Sequence, residues 1–218
     1  MGNKQSTLVI FGATGAIGNE IVKIAINSNT ISQIHSIQRS DLVIDNSKLI
    51  NHKLDELDSL KIDADVAIIT LGTTLKKAGS KEAFIKVDKD LVVTVATWAK
   101  NNNIKELHVV SAIGANSSQN QYYNRTKGEM ENALISIDIT SLNIYRPSLL
   151  HGAVRKEFRL SESVGYYALK LMCWIPGLKK YGPVHITEVA KTIMKDINGR
   201  PKGVNIFESD GDEFLKIN

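Results

Sequence analysis

The sequence has a single cysteine, Cys173, in 218 residues. That excludes an internal disulfide framework and any multi-cysteine metal site, and it suits a reducing compartment, read here as cytoplasmic. Only 4 prolines and 15 glycines are present, which excludes fibrous and disordered classes. No apolar run approaches the ~20 residues of a membrane span, and no signal-peptide n-region or cleavage site precedes the first strand. Neither charge sign dominates: 27 Lys and Arg against 23 Asp and Glu leave +4. The lysines are scattered, so they read as a solvated surface and no nucleic-acid partner is expected. Met1-Gly2-Asn3-Lys4-Gln5-Ser6 matches the short myristoylation template. A first strand beginning by about Thr7 leaves little tail to present an acyl chain, so no membrane partner is expected either.

What is present is a soluble globular composition, 43% hydrophobic and 23% charged, in a length that suits one domain over 1–218. Short apolar runs alternate with stretches of helical period. Strand-like runs are Thr7–Phe11, Ile34–Ile37, Lys48–Leu54, Ala64–Leu71, Leu107–Ser111 and Leu142–Arg146, with Val204–Phe207 as a seventh candidate. Between them lie helices over Ala16–Asn27, from Ser80 to Asn101 with Phe84, Val87, Leu91, Val95 and Trp98 on one face, and over Asn120–Ile137. A late helix is capped by Thr187 and carries Val189, Ala190, Ile193, Met194 and Ile197 inward. The alternation predicts an α/β fold, a Rossmann-type doubly wound parallel sheet of six or seven strands with helices on both faces. Residues from about 152 to 183 break the rhythm and carry one helix, Ser161–Trp174. An insertion there, beyond the sixth strand, is placed to cover a pocket.

The loop Gly12-Ala13-Thr14-Gly15-Ala16-Ile17-Gly18 joins the first strand to the first helix. Gly12 permits the tight turn, Gly15 lets backbone approach a pyrophosphate, and Gly18 lets helix and strand pack. The helix N-terminus offers free N–H groups and partial positive charge to the anion. After the second strand the chain reads Ile37-Gln38-Arg39-Ser40, with no acid before Asp41. An acid there accepts from the ribose 2′-hydroxyl of NAD. Arg39 instead suits a 2′-phosphate through a forked, charge-assisted contact, and Ser40 adds a donor. NADP(H) is therefore expected over NAD(H), with a solvated Arg39 and NAD(H) binding as the alternative.

Ser111 ends the fifth strand, and Tyr123 and Lys127 follow on one helix face at i and i+4. Tyrosine titrates near 10, and a neighbouring ammonium stabilises its phenolate. Ser111 can then hydrogen-bond a substrate carbonyl while Tyr123 transfers the proton as hydride arrives from a nicotinamide, and Lys127 reaches the nicotinamide ribose. Tyr122 lies off the face of Lys127 and serves as the neighbouring decoy.

With these features the chain resembles the short-chain dehydrogenase/reductase superfamily, of the atypical or extended kind. It is most similar to the group of small NAD(P)H-binding proteins like the Tat-interacting oxidoreductase. The matching stretches are Gly12–Gly18, Leu71-Gly72-Thr73-Thr74, Lys77-Ala78-Gly79-Ser80, Lys86-Val87-Asp88, Ser111–Ala115, Tyr123–Glu129, Arg146–Leu150 and Pro183-Val184-His185. The resemblance implies that Leu71, Gly72 and Thr73 line the cofactor, and that Pro147, Ser148 and Leu149 lie beside the nicotinamide. Leu54, ending the third strand, is counted with the cofactor-lining residues. Two departures stand out. Leu71-Gly72-Thr73 replaces the Asn-Ala-Gly of classical members, and Asp88 replaces the helix-four asparagine of extended members. The chain also lacks the large substrate domain of the sugar-nucleotide epimerases, so a small-molecule substrate is expected.

The five histidines, His35, His52, His108, His151 and His185, do not pair at metal-ligand spacing, so no metal site is expected. His108 reads as a satisfied core residue and His151 as a candidate pocket residue. Arg155, Lys156 and Arg159 read as a solvated loop or an anion-recognising lid, and Cys173 as packed. The first reading is an NADP(H)-dependent oxidoreductase acting on a small carbonyl or alcohol, as a monomer or homodimer. The second is an NADP(H)-binding regulatory or scaffold protein of the same fold.

Overall fold

The computed structural model describes residues 5–40, 42–152, 179–197, 199 and 201–217. The expected helix at 161–174, Cys173, the 155–159 cluster and the Gly2 acyl site lie outside the described residues.

β1 (Ser6–Phe11) leads into α1 (Ala16–Ile26), followed by β2 (Ile31–Gln38), β3 (Leu49–Lys53) and β4 (Val66–Ile69). Beyond β4 come the short helices α2 (Leu75–Ala78) and α3 (Lys81–Ile85), a π-helical turn over Lys86–Asp90, and α4 (Leu91–Asn101). The second half runs β5 (Glu106–Val110), α5 (Tyr122–Ser136), β6 (Ser141–Arg146), β7 (Leu150–His151), β8 (Val184–His185), α6 (Ile186–Asp196), β9 (Gly203–Asp210) and β10 (Glu213–Lys216).

The main sheet has the order β3-β2-β1-β4-β5-β6-β9-β10. Every pairing in it is parallel except β9 with β10. Helices in the crossovers cover both faces of the sheet, while β2 reaches its parallel neighbour β3 through a connection with no helix among its described residues. Alternation along β1 shows the two cores. Leu8 and Ile10 join Ile17, Ile21 and Val22 of α1 and Val189 and Ile193 of α6. Val9 and Phe11 join Val92, Val95 and Trp98 of α4 and Met130 and Leu134 of α5. Each fully buried aliphatic side chain contributes roughly 1.5–3 kcal/mol, and β1 supplies both layers. The chain leaves β1 toward β2 on one side and has β4 on the other, so a crevice opens outside the carboxyl ends of β1 and β4.

Three expectations are corrected. The main sheet has eight strands, not six or seven. β9 continues past Phe207 through Glu208, Ser209 and Asp210, and Gly211, at φ +69°, turns the chain into β10. Polar residues persist in that strand because each finds a partner: Ser209 Oγ accepts from the Ser148 amide at 2.9 Å and Glu208 meets Arg146 at 3.0 Å. The long helix after Ser80 is interrupted. Ser80 does cap, accepting from the Ala83 amide at 3.1 Å, but the π turn inserts extra backbone and resets the buried face. Asp88 and Val92 are buried, while Val87 is only half-buried. At α6 the cap is His185, not Thr187: its Nδ1 accepts from the Thr187 amide at 3.2 Å.

Candidate functional site

The glycine loop caps the crevice. Gly12 has φ +88°, and a Cβ there would lie 2.8 Å from Thr70 Oγ1 and 3.0 Å from the Thr70 backbone. Thr70 in turn donates its hydroxyl to the carbonyls of Phe11 and Gly12, both at 3.1 Å, clamping the end of β4 to the loop. A Cβ on Gly18 would sit 2.3 Å from the Gly12 carbonyl oxygen, so α1 can pack on the turn only through glycine. Gly15 differs: its φ of −75° suits any residue, and its amide donates to the Gly12 carbonyl at 2.9 Å. Gly15 is the N-cap of α1, no side chain caps this end, and the first turn holds no acid. Thr14, Gly15 and Ala16 are exposed, whereas Ala13 and Ile17 are buried. The result is an exposed strip of backbone before an uncapped helix end, with no side chain occupying the anion position.

Beyond β2, Arg39 and Ser40 are exposed. Gln38 beside them is buried, and its amide nitrogen donates to Asn51 Oδ1 at 3.3 Å. Its carboxamide oxygen is the only buried side-chain polar atom without a partner among the described residues. That orphan acceptor stands at the end of β2, where the adenosine ribose of a dinucleotide lies in this fold. Leu54 opens a 3₁₀ turn, and with Leu71 it packs at the margin of the α4/α5 core.

On the other side of the crevice, α5 carries a stripe of Tyr123, Lys127 and Glu131 at successive i+4 positions. The Lys127 ammonium and Asp88 carboxylate form an ion pair at 2.7 Å with both side chains buried. The second Asp88 oxygen accepts from the Thr73 amide at 2.7 Å. Asp88 thus ties α5 to the segment leaving β4, and only the π turn aims it inward. Tyr123 packs on Phe84, ring centroids 5.6 Å apart. Burial holds the Tyr123 phenol above its usual range; the Lys127 ammonium pulls it down and the Asp88 carboxylate pushes it up. With Asp88 neutralising Lys127, Tyr123 stays a phenol at neutral pH.

Ser111 is buried and faces α5, donating its hydroxyl to Glu131 Oε1 at 2.5 Å. Glu131 also receives Arg146 in a forked contact, Nε to Oε1 at 3.0 Å and Nη2 to Oε2 at 2.6 Å. Arg146 Nη1 completes the chain on Glu208 at 3.0 Å. The Ser111 proton is therefore directed at a carboxylate within the fold. Glu131 was missed by the sequence reading, although its spacing from Tyr123 and Lys127 marks it. Glu208 carried no local signal, since its partner lies across the sheet.

The segment leaving β6 is stitched to the loop leaving β5, with the Ile113 amide on the Pro147 carbonyl at 2.9 Å. Ser148 donates its hydroxyl to the Gly182 carbonyl, and Leu149 is exposed. His151 meets His185 edge-to-face at 4.9 Å. His108 is buried, with Tyr145 at 2.9 Å and Glu106 at 2.8 Å, the satisfied core residue expected. His35 and His52, distant in sequence, meet at 2.8 Å across β2 and β3.

A parallel sheet in this order, a glycine turn at its switch point and a Tyr-x-x-x-Lys helix facing it define a Rossmann-type protein of the short-chain dehydrogenase/reductase kind. No family model matches the chain. Protein FMP52, mitochondrial, of Candida albicans is 34% identical over 95% of this chain and 96% of its own length. Its namesake in Lodderomyces elongisporus is 32% identical over 98% and 97%, and Protein HTATIP2 of Rattus norvegicus 31% identical over 67% and 64%. The chain belongs to the atypical short-chain dehydrogenase/reductase superfamily, in the group that holds FMP52 and HTATIP2. Among solved structures, MoeE5 in complex with UDP-glucose and NAD superposes with a TM-score of 0.70 at 14% identity, covering 97% of this chain and 78% of that one. UDP-glucose 4-epimerase of Thermotoga maritima gives 0.71 at 11% identity, covering 96% and 78%. Those two likenesses concern the fold alone.

The relatives also overturn one expectation. Several carry a mitochondrial name, against the cytoplasmic reading. A single cysteine rules out an internal disulfide and does not distinguish one compartment from another.

Proposed function

We propose that this protein is a mitochondrial NADP(H)-dependent oxidoreductase that transfers hydride between nicotinamide and a small carbonyl or alcohol. The observation that carries the reading is the facing of an open glycine cradle and a Tyr123–Lys127–Asp88 cluster across one crevice. The cradle fits a dinucleotide: its helix end is uncapped and free of acid, and the Gln38 oxygen awaits a donor. Exposed Arg39 and Ser40 favour a 2′-phosphate. The bound nicotinamide would supply the hydride. Tyr123, held as a phenol, donates its proton to the developing alkoxide, which suits reduction at neutral pH. Lys127 and Asp88 fix the base of that site, and Arg146 and Glu131 fix Ser111.

Screening carbonyl compounds by loss of NADPH absorbance tests this. Tyr123→Phe is expected to lose turnover by ~10²–10⁴-fold with NADPH affinity unchanged, and Tyr122→Phe to be nearly silent. The reverse ranking refutes the assignment. One observation favours the regulatory reading instead: the Ser111 hydroxyl and Lys127 ammonium both bind carboxylates of the fold. Tight NADPH binding without turnover of any carbonyl or alcohol selects that reading.

A further inference from the structure

The segment 74–86 carries Lys76, Lys77, Lys81 and Lys86 against a single acid, Glu82. All four lysines are exposed, and none forms a salt bridge among the described residues, whereas Lys89 and Lys127 nearby are paired with Glu129 and Asp88. The excess charge is not floating. Tyr122, the tyrosine that the hydride-transfer chemistry leaves unused, donates its hydroxyl to the Lys81 carbonyl at 2.7 Å. Its ring carries the Lys81 ammonium at 5.2 Å and the Arg125 guanidinium at 5.7 Å from the centroid. Cation–π contacts of this kind hold two positive groups at one seam, where α3 meets the start of α5. Arg125 also lies 4.0 Å from Glu129, a carboxylate already engaged by Lys89 at 3.1 Å. Phe84 packs against Tyr122 and Tyr123 alike, at 6.0 and 5.6 Å. The same segment begins just after Thr73, whose amide is pinned to Asp88. The cationic rim and the proton donor therefore belong to one packed cluster.

We propose that this rim selects a small anionic substrate, a carbonyl compound bearing a carboxylate or phosphate. That the bound anion is a hydride acceptor rests on the reductase reading; the preference for an anion does not. An exposed cationic rim raises the local concentration of an anion and orients it, and salt screens that effect. The cofactor's own phosphates are the rival source of negative charge, but the glycine cradle and Arg39 address those from the β1 and β2 ends.

The test uses the full chain saturated with NADPH and matched probe pairs: a 2-oxo acid with its amide, and a phosphorylated aldehyde with its dephosphorylated form. Affinity is read by calorimetry and turnover separately by absorbance. The anionic member is expected to bind about tenfold tighter or more at low salt, with the gap shrinking at about 0.5 M salt. Lys81→Gln combined with Arg125→Gln should bring the ratio toward one, Lys81→Arg should keep it, and NADPH affinity should hold in both. Equal binding of paired probes, or no binding of the anionic ones, overturns the proposal. So does an equal loss of NADPH affinity in the double variant, which would give the rim to the cofactor. Anion preference without turnover overturns the reductase reading and leaves the rim standing.

Discussion

Asp88 shows how one side chain can decide the character of a site. It is buried, it neutralises Lys127 and it fixes the Thr73 amide. Removing one member of such a pair strands the other charge, at a cost of about 3–5 kcal/mol. Asp88→Ala should lower stability by that order in urea unfolding. Asp88→Asn keeps an acceptor for Thr73 and should fall short of the alanine loss. If both variants unfold at the wild-type midpoint, the ion pair is not what holds α5 to this loop. The His35–His52 contact makes a second residue-scale prediction. Burial lowers the pKa of His35 below 6.5, helped by His52, and burial lowers that of His52 despite Glu56. Both folded-state values are depressed, so the unfolded chain binds more protons as pH falls through this range. The contribution is full above about pH 6.5 and is lost below it. Urea midpoints should therefore drop between pH 7.5 and 5.5, and less steeply in His52→Gln.

At the scale of elements, the three glycines of the loop separate into two roles. Gly12 and Gly18 are demanded by the fold itself: one by its positive φ and the Thr70 backbone, the other by the Gly12 carbonyl 2.3 Å from where a Cβ would stand. Gly15 is not; a Cβ there meets only the Gly12 oxygen, at 3.1 Å. Gly18→Val should destabilise by about 3 kcal/mol, at the upper end of overpacking costs. Gly15→Val should fold and lose NADPH binding, because its side chain occupies the phosphate approach. Circular dichroism melts and NADPH titration of the two variants check this. A folded Gly15→Val that binds NADPH normally would remove the cradle from the functional account. The π turn is the other decisive element. Sequence periodicity places Phe84, Val87, Leu91 and Val95 on one regular face, but the extra backbone turns Asp88 inward at the cost of Val87.

For the whole molecule, a ligand bound only by the folded state shifts the unfolding equilibrium. NADPH at about 100 times its Kd should add ~2.7 kcal/mol, or roughly 5–10 °C in Tm for a chain of this size. NADH at the same concentration, binding about tenfold more weakly if Arg39 reads the 2′-phosphate, should add only ~1.4 kcal/mol. Arg39→Ala should erase the difference between the two melts. Equal shifts in the wild type would remove Arg39 from cofactor choice.

The sequence by itself determined the Rossmann architecture, because continuous Val/Ile/Leu runs, helical periods and a glycine turn are all local patterns along one stretch of chain. It also marked Tyr123 and Lys127, whose i+4 spacing is a property of any helix. Tertiary structure decided what those groups touch. Glu208 reaches Arg146 from a strand 62 residues away, the polar end of β9 survives because Ser148 and Arg146 meet it, and β10 exists as a sheet strand because β9 offers it an edge. His35 finds His52 only through the register of β2 against β3. Asp88 lies in the same sequence window as Phe84 and Val87, but a π turn is set by the buried partner that it serves, so periodicity alone could not show that Lys127 is neutralised from within.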